Sequence, residues 1–211
     1  MAHRRELTPD ELANTIVDGR SLAFARVLSF VFSPPLVAIA SYVLVANMQP
    51  LPANESFRWS LLSLAIQLMP AALLYTYRRQ TGAYHDADVS RRQDRNELYL
   101  LGAASVLLSV VVLSVLGAPS GFIALAAGTL GLAVVCGVVN LFWKISMHGA
   151  AIGAFATVAA LMSAGFGVVM WAFALAVGWA RVRTRNHTVW QVVAGLTAAA
   201  VITVASFTLI G

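Results

Sequence analysis

Residues 120–142, which read SGFIALAAGTLGLAVVCGVVNLF, decide the class of fold. The stretch carries no charged residue, and it is longer than the roughly 20 apolar residues that an α-helix needs to cross a bilayer. Other apolar runs lie on both sides of it, so the chain is predicted to be an all-α, polytopic membrane helix bundle. We predict about seven spans, at residues 27–47, 58–77, 98–117, 120–142, 148–164, 166–181 and 189–210.

The composition of the whole chain agrees with that prediction. Of the 211 residues, 59% are hydrophobic and 11% are charged. Soluble domains carry about 25% charged residues, so this shortage of charge indicates a membrane protein. The length suits one transmembrane domain at residues 27–211, preceded by a cytoplasmic N-terminal segment at residues 1–26.

The N-terminal segment has the residues of a short helix. Thr8 is a candidate N-cap, Pro9 suits the first helical position, Glu11 completes a capping box, and Gly19 is expected to end the helix. One face of this helix is apolar. We therefore expect either an interfacial helix that lies on the membrane or a solvated tail.

Prolines and glycines mark special points in the predicted spans. Pro34 and Pro35 should kink the first span and Pro70 the second, since proline removes a helix hydrogen bond. Gly149 and Gly153 are four residues apart in the fifth span. This spacing allows close packing of membrane helices, although it also fits ordinary membrane-helix composition.

The basic residues predict the orientation of the chain. If seven helices cross the membrane, all of the 14 lysines and arginines except Arg58 lie on one side. The positive-inside rule then puts the N-terminus in the cytoplasm and the C-terminus outside, in what we expect to be a bacterial cell membrane. The bilayer accounts for these charges, so nucleic acid is not an expected partner. If the sixth run does not span, His148 and His187 lie on opposite sides.

The polar residues concentrate in three segments on the basic side, at residues 85–96, 144–148 and 181–191. Ionisable groups at such positions in a membrane protein point to function. Arginine binds phosphate oxygens through a forked set of donors. Histidine can attack phosphorus, and a second histidine can protonate the leaving oxygen. The residues therefore predict cleavage of a phosphate ester, without an obligatory metal or cofactor.

The second and third segments resemble motifs of the type 2 phosphatidic acid phosphatase (PAP2) superfamily of membrane lipid phosphatases. That family's second motif is Pro-Ser-Gly-His, where this chain has Ile145-Ser146-Met147-His148. The third motif is Ser-Arg, five residues, His, three residues and Asp. This chain has Ala180-Arg181, five residues, His187, three residues and Gln191.

The family's first motif, Lys, six residues and Arg-Pro, is matched less fully. Arg95-Asn96 stands in the place of Arg-Pro, and Asp88 stands in the place of the lysine. Arg91 or Arg92 is a candidate to supply the missing positive charge. The resemblance covers residues 85–195 and implies a PAP2-like core.

The resemblance implies a role for each matching residue. His187 would be the nucleophile, and His148 would protonate the leaving lipid oxygen. Gln191 replaces the family's Asp; its carbonyl can accept the ring proton of His187 but supplies no negative charge. The implied phosphate-binding residues are Arg181, Ser146 and Arg95, with Arg92 and Lys144 as additional cations.

We therefore expect a membrane lipid phosphatase that acts on a lipid phosphate or an isoprenoid diphosphate through a phospho-histidine intermediate. Its expected partners are a membrane lipid substrate and the bilayer. One alternative is a magnesium-dependent lipid or prenyl transferase, in which Asp86 and Asp88 would bind the ion. Another is a non-catalytic membrane subunit that binds a lipid phosphate in a degenerate pocket.

Overall fold

The computed structural model of the chain describes residues 9–86, 89 and 91–211, with side chains described from residue 18 onward. In those residues the secondary structure is helical and contains no strand, which confirms the all-α prediction. A short 3-10 helix, Gln93–Arg95, precedes the fourth α-helix. The α-helices are α1 (Pro9–Val31), α2 (Pro34–Met48), α3 (Ala53–Gln80), α4 (Asn96–Val115), α5 (Ser120–Phe142), α6 (Met147–Met162), α7 (Ala164–Arg183) and α8 (Val189–Leu209).

The described helices have the lengths and composition of an integral membrane protein. Five of them, α3, α4, α5, α7 and α8, are long and apolar enough to cross a membrane. The pair α1 and α2 is bent by 49° and adds a sixth crossing if it is counted as one span. At 16 residues, α6 is about 24 Å long and thus shorter than a bilayer core. The predicted count of seven is therefore not confirmed by length and composition.

The fourth to eighth helices bring the polar segments to one end of the bundle. α6 and α7 form a hairpin that is broken only at Ser163, and α6 also packs against α8. α7 extends beyond the predicted run at 166–181. The backbone N–H of Ser146 donates to the carbonyl of Gln191 at 3.1 Å, so α6 and α8 begin side by side. His148 and His187 therefore lie at the same end of the molecule.

Glycines allow α6 and α8 to approach this closely. A Cβ atom on Gly195 would lie 2.6 Å from the carbonyl oxygen of Ser146. A Cβ on Gly153 would lie 3.0 Å from the Cβ of Ala199. A Cβ on Gly149 would lie 3.2 Å from the carbonyl oxygen of Val192, so Gly149 and Gly153 both lie where α6 packs closely on α8.

The structure corrects the predicted end of the N-terminal helix. α1 continues through Gly19 to Val31, so no helix boundary falls at residue 26. Thr8 and the side chain of Glu11 lie outside the described residues. A glycine inside a helix costs about 1 kcal/mol, and packing of α1 along α7 offsets that cost. Two pairs of aromatic rings form part of this contact. The ring centroids of Phe24 and Trp179 are 6.2 Å apart, and those of Phe32 and Phe173 are 5.5 Å apart.

Polar contacts hold α1 against the end of α7, and a proline marks the break after α1. Arg183 forms an ion pair with Asp18, and its Nε donates to the Ser21 hydroxyl at 3.1 Å. The helix breaks at Ser33, where Pro34 begins α2, as the two adjacent prolines predict. Pro70, in contrast, lies inside the continuous helix α3.

A central polar seam joins α2, α3 and α4 inside the bundle; we define it as Tyr42, Gln67 and Ser109. The side-chain amide of Gln67 donates to the Tyr42 hydroxyl at 2.6 Å and to the Ser109 hydroxyl at 2.9 Å. All three side chains are buried. Neutral hydrogen bonds of this kind hold membrane helices together.

Candidate active site

The loop after α7 sets His187 against the end of that helix. Arg181 lies in the last turn of α7, and its carbonyl accepts hydrogen bonds from the backbone N–H groups of Asn186 at 3.1 Å and His187 at 3.2 Å. Arg185 adopts the left-handed conformation, with φ at 57°. A left-handed residue just after a helix is a common way to reverse the chain. The five-residue spacing between Arg181 and His187 is therefore the length of one helix-ending turn.

The hydrogen bonds of Gln191 define the tautomer of His187. Nδ1 of His187 lies 3.0 Å from Oε1 of Gln191, and the backbone N–H of Thr188 donates to the same Oε1 at 3.2 Å. An atom that accepts from a backbone N–H must be the amide oxygen, so Nδ1 of the ring is its second donor. The proton of the neutral ring is then on Nδ1, and Nε2 keeps its lone pair.

Gln191 also belongs to the capping box that starts α8. The hydroxyl of Thr188 accepts from the backbone N–H of Gln191 at 3.4 Å, while the Gln191 side chain returns to the N–H of Thr188. A capping box fixes the entry of the chain into a helix. The side chain that orients the His187 ring is thereby held by the helix terminus itself.

His187 is buried among positive charges. The side chain is 6% exposed. Burial, followed by the positive charges of Arg95 and Lys144, lowers the pKa of His187 to about 3. The charge of Arg181 also lowers this pKa, whereas the hydrogen bond with Gln191 raises it. The ring is therefore neutral at pH 7, which is the form that can act as a nucleophile.

Arg95 comes to the site from the connection between α3 and α4. It is the last residue of the 3-10 helix, and its side chain is buried. Its Nε donates to the carbonyl of Val89 at 2.7 Å. Val89 has a φ of 46°, a conformation that costs free energy in a β-branched residue. The backbone of this loop is therefore strained at Val89, the residue whose carbonyl accepts the hydrogen bond from Arg95.

Ser146 is the N-cap of α6 and is fully buried. Its hydroxyl oxygen accepts from the backbone N–H of Gly149 at 3.2 Å, which leaves its hydroxyl proton available for donation. The positive ends of two helices, α6 and α8, meet here, and such ends attract anions. His148 is half-buried in the first turn of α6, two residues after Ser146.

Lys144 connects the two loops that carry the motifs. Its Nζ donates to the carbonyl of Asn186 at 2.7 Å, across the gap between the start of α6 and the end of α7. The charge of Lys144 also acts on the ring of His187. We call Arg95, Lys144, Ser146, Arg181, His187 and Gln191 the cationic site.

Arg92 contacts the end of α5. Its Nη1 donates to the carbonyl of Asn140 at 2.7 Å and also contacts the carbonyl of Leu141. Both carbonyls belong to the last turn of α5, where helix hydrogen bonds end and side-chain donors are favourable. These bonds tie Arg92 to the end of α5, and its role as an additional phosphate-binding cation stays a prediction.

Asn140 is a residue of this region that the sequence interpretation missed. It is fully buried, and its Nδ2 donates to the carbonyl of Arg92 at 3.0 Å and to Oδ1 of Asn96 at 2.9 Å. These bonds attach the loop that carries Arg95 to the end of α5. A signal was present, because Asn140 is a polar residue inside the apolar stretch 120–142.

The residues named for the magnesium alternative are described only in part. Asp86 is half-buried in the connection between α3 and α4, and Asp88 lies outside the described residues. Among the residues that the structure does describe, no group of three His, Cys, Asp or Glu side chains could hold a metal ion.

Two surface grooves lie at the opposite end of the bundle from the cationic site. The first, of about 390 Å³, is lined by residues that include Asn47, Gln49 and Ser56. The second, of about 350 Å³, is lined by residues that include Glu55 and Arg58. Neither groove is lined by a residue of the cationic site, so the clustered charges and these two grooves occupy different ends of the molecule.

Comparison of the chain with protein-family models, with curated proteins and with solved structures gave no match.

Proposed function

We propose that this protein is a membrane phosphohydrolase of the PAP2 kind, acting on a lipid phosphate or an isoprenoid diphosphate. The observation that carries the proposal is the state of His187. Its ring is buried and neutral, Nδ1 is held by Gln191, and the charges of Arg95, Lys144 and Arg181 act on it. A neutral imidazole among cations is suited to attack an anionic phosphate, because the cations neutralise the charge that normally repels a nucleophile.

In the proposed reaction, the lone pair on Nε2 of His187 forms a bond to phosphorus. The bond from phosphorus to the lipid oxygen breaks, and its electron pair leaves with that oxygen, which takes a proton from His148. Water then attacks the phospho-histidine and gives a proton to His148. The N–P bond breaks, inorganic phosphate is released, and His187 returns to its neutral form.

The proposed phosphate-binding groups offer different kinds of donor. Arg181 and Arg95 present forked donors to the phosphoryl oxygens, and the Ser146 hydroxyl donates a neutral hydrogen bond. Lys144 adds a point charge. The three positive charges disfavour a cationic ring while the site lacks its anion, and a bound phosphate dianion reverses this effect as the N–P bond forms.

Gln191 distinguishes this site from the PAP2 pattern. An aspartate in its position would stabilise the positive charge that develops on the ring, whereas the amide oxygen of Gln191 offers only a dipole. We expect turnover to be slow for this reason. The same feature favours a second candidate function, a membrane subunit that binds a lipid phosphate at this site without hydrolysing it.

We further propose a seven-pass topology. The bent pair of α1 and α2 would form the first pass, and the short helix α6 would form the fifth. The contacts of α1 along α7 support it, because these two helices run in opposite directions. The starts of α6 and α8 lie side by side, so α7 runs in the opposite direction between them, as successive passes must. By the positive-inside rule, the cationic site faces the cytoplasm.

The test is release of inorganic phosphate by the purified, detergent-solubilised chain. Substrates should include phosphatidic acid, phosphatidylglycerophosphate and a polyprenyl diphosphate. We expect His187→Ala to lower the rate by about 10³-fold or more, because the covalent route is lost. His85→Ala, a matched change in an exposed loop, should leave the rate unchanged. Full activity in the His187 variant would overturn the mechanism.

A further inference from the structure

Tyr99 lies directly below the cationic site. It is in the first turn of α4, four residues after Arg95, so the two side chains share one side of the chain. Its ring packs on α5, where its Cβ is 3.4 Å from the position that a Cβ on Gly137 would take. It belongs to the same apolar cluster as Ile145, the residue before Ser146. Tyr99 therefore stands between the charged groups and the apolar interior.

The O–H proton of Tyr99 is buried and has no acceptor among the groups that the structure describes, since the Arg95 guanidinium beside it can only donate to the hydroxyl oxygen. The side chain is 9% exposed, and its hydroxyl is within electrostatic reach of Arg95 and of the Cys136 thiol. Buried hydroxyl groups in proteins are nearly always hydrogen-bonded. Tyr42 follows that rule through its bond with Gln67.

The packing around Tyr99 gives no reason for a hydroxyl. Its neighbours in the cluster, among them Leu132, Cys136 and Ala150, are apolar or weakly polar, and a phenylalanine ring would fill the same space. A buried donor without a partner lowers stability. The hydroxyl is explained if its partner belongs to the ligand of the adjacent site.

We propose that the Tyr99 hydroxyl donates a hydrogen bond to an oxygen of the phosphate group bound by Arg95, and so forms the floor of the cationic site. This inference rests on the proposed function, because it takes the ligand to be a phosphate. A phenol suits this position chemically. It offers a donor to the anion without adding a further positive charge beside His187.

The experiment measures binding and stability instead of turnover. Inorganic phosphate is titrated into the full, detergent-solubilised chain by calorimetry, for the wild type, Tyr99→Phe and Tyr42→Phe. Hydrogen bonds to charged groups are strong, so Tyr99→Phe should weaken phosphate binding by about tenfold or more. Tyr42→Phe also removes a buried hydroxyl, but one that belongs to the central polar seam and not to the cationic site, and it should bind phosphate as the wild type does.

The unfolding temperature without phosphate is a second measurement, in which the two variants should differ in the opposite sense: Tyr42→Phe should lose stability and Tyr99→Phe should not. Tyr99→Phe should unfold at the same temperature as the wild type or a higher one, because it removes a buried donor that has no internal acceptor. Tyr42→Phe should unfold at a lower temperature, because Gln67 loses one of its two acceptors and keeps only Ser109. A role of the Tyr99 hydroxyl in folding predicts instead that Tyr99→Phe unfolds at a lower temperature, and that result would overturn the inference.

The outcomes separate this inference from the proposed function. If the wild type binds phosphate and Tyr99→Phe binds it equally well, the inference is wrong and the proposed function stands. If the wild type neither binds phosphate nor releases it from any lipid substrate, both are wrong. Weaker binding by Tyr99→Phe with unchanged or raised stability supports the inference even if turnover is absent.

Discussion

The central polar seam and the cationic site are both groups of buried polar side chains, but they differ in charge. In the seam, Gln67 bonds to Tyr42 and Ser109, and every group is neutral. In the cationic site, the charges of Arg95, Lys144 and Arg181 all act on one histidine ring. Neutral donors and acceptors satisfy one another and join helices, whereas groups of one sign repel one another.

This difference separates structural polarity from functional polarity. A polar residue inside a membrane protein is often read as a functional one. The seam is polar, yet its hydrogen bonds are internal to the fold. The cationic site concentrates one sign of charge, two helix N-termini and a neutral histidine at one end of the bundle, and this arrangement suits an anion.

Among the changes that compare the two regions, the largest effect on activity should come from changing the donor geometry of the site while keeping its charge. Arg181→Lys retains the positive charge but loses the planar fork that binds two phosphate oxygens. We expect kcat/KM for a lipid phosphate to fall about 100-fold, measured by phosphate release. Arg185→Lys makes the same change at an exposed residue of the same loop and should have no effect. Equal losses in both variants would mean that the loop alone, and not the fork, is needed.

An intermediate effect is expected from giving the site the negative charge that Gln191 lacks. In the wild type, the pKa of His187 is about 3, so the acidic limb of the pH profile of kcat/KM should lie far below pH 6. Gln191→Glu retains the capping-box geometry and places a carboxylate beside Nδ1, which raises the pKa of His187. The acidic limb should then move to higher pH.

The rate at neutral pH should also rise in Gln191→Glu, by about tenfold, because the carboxylate stabilises the positive ring that forms with the N–P bond. Gln93→Glu, at an exposed residue of the 3-10 helix, is the control and should leave both the profile and the rate unchanged. An acidic limb that stays in place in Gln191→Glu would contradict the contact between Gln191 and His187.

The burial of His187 also predicts how stability depends on pH. The unfolded histidine binds a proton near pH 6.5, while the folded ring stays neutral down to about pH 3. The unfolded state therefore binds more protons between these values, and stability falls as the pH is lowered through that window. His187→Gln should flatten this part of the stability curve, measured as the unfolding temperature in detergent from pH 7 to pH 4.

The smallest effect on phosphate chemistry should come from the seam. Gln67→Leu removes the donor that Tyr42 and Ser109 share and should lower stability by about 1 kcal/mol, seen as a lower unfolding temperature. Phosphate binding should not change. Gln80→Leu, at the exposed end of the same helix, should be neutral in both measurements. A loss of phosphate binding in Gln67→Leu would show that the two regions are coupled.

The sequence predicted the features that depend on local patterns. Apolar runs predicted the helices, because length and hydrophobicity decide which segments can cross a bilayer. The spacing of Arg181, His187 and Gln191 reflects one helix-ending turn and one capping box, which are also local structures. These residues could therefore be selected before their contacts were known.

Features that depend on tertiary contacts could not be predicted in this way. Arg92 and Arg95 are three residues apart and chemically equivalent, yet one closes α5 and the other acts on His187. Gly19 is a typical helix end, but packing of α1 on α7 outweighs that tendency. The roles of Asn140 and Tyr99 likewise depend on how α4 meets α5.

The central claim, that His187 is a nucleophile toward phosphate, is tested most directly by trapping the covalent intermediate. The protein is mixed with a lipid phosphate radiolabelled at phosphorus and denatured in alkali within one turnover. The account predicts a label on His187 that survives alkali and is released by acid, present in His85→Ala and absent in His187→Ala. Phosphate release without labelled protein, or a label that remains in His187→Ala, would contradict it.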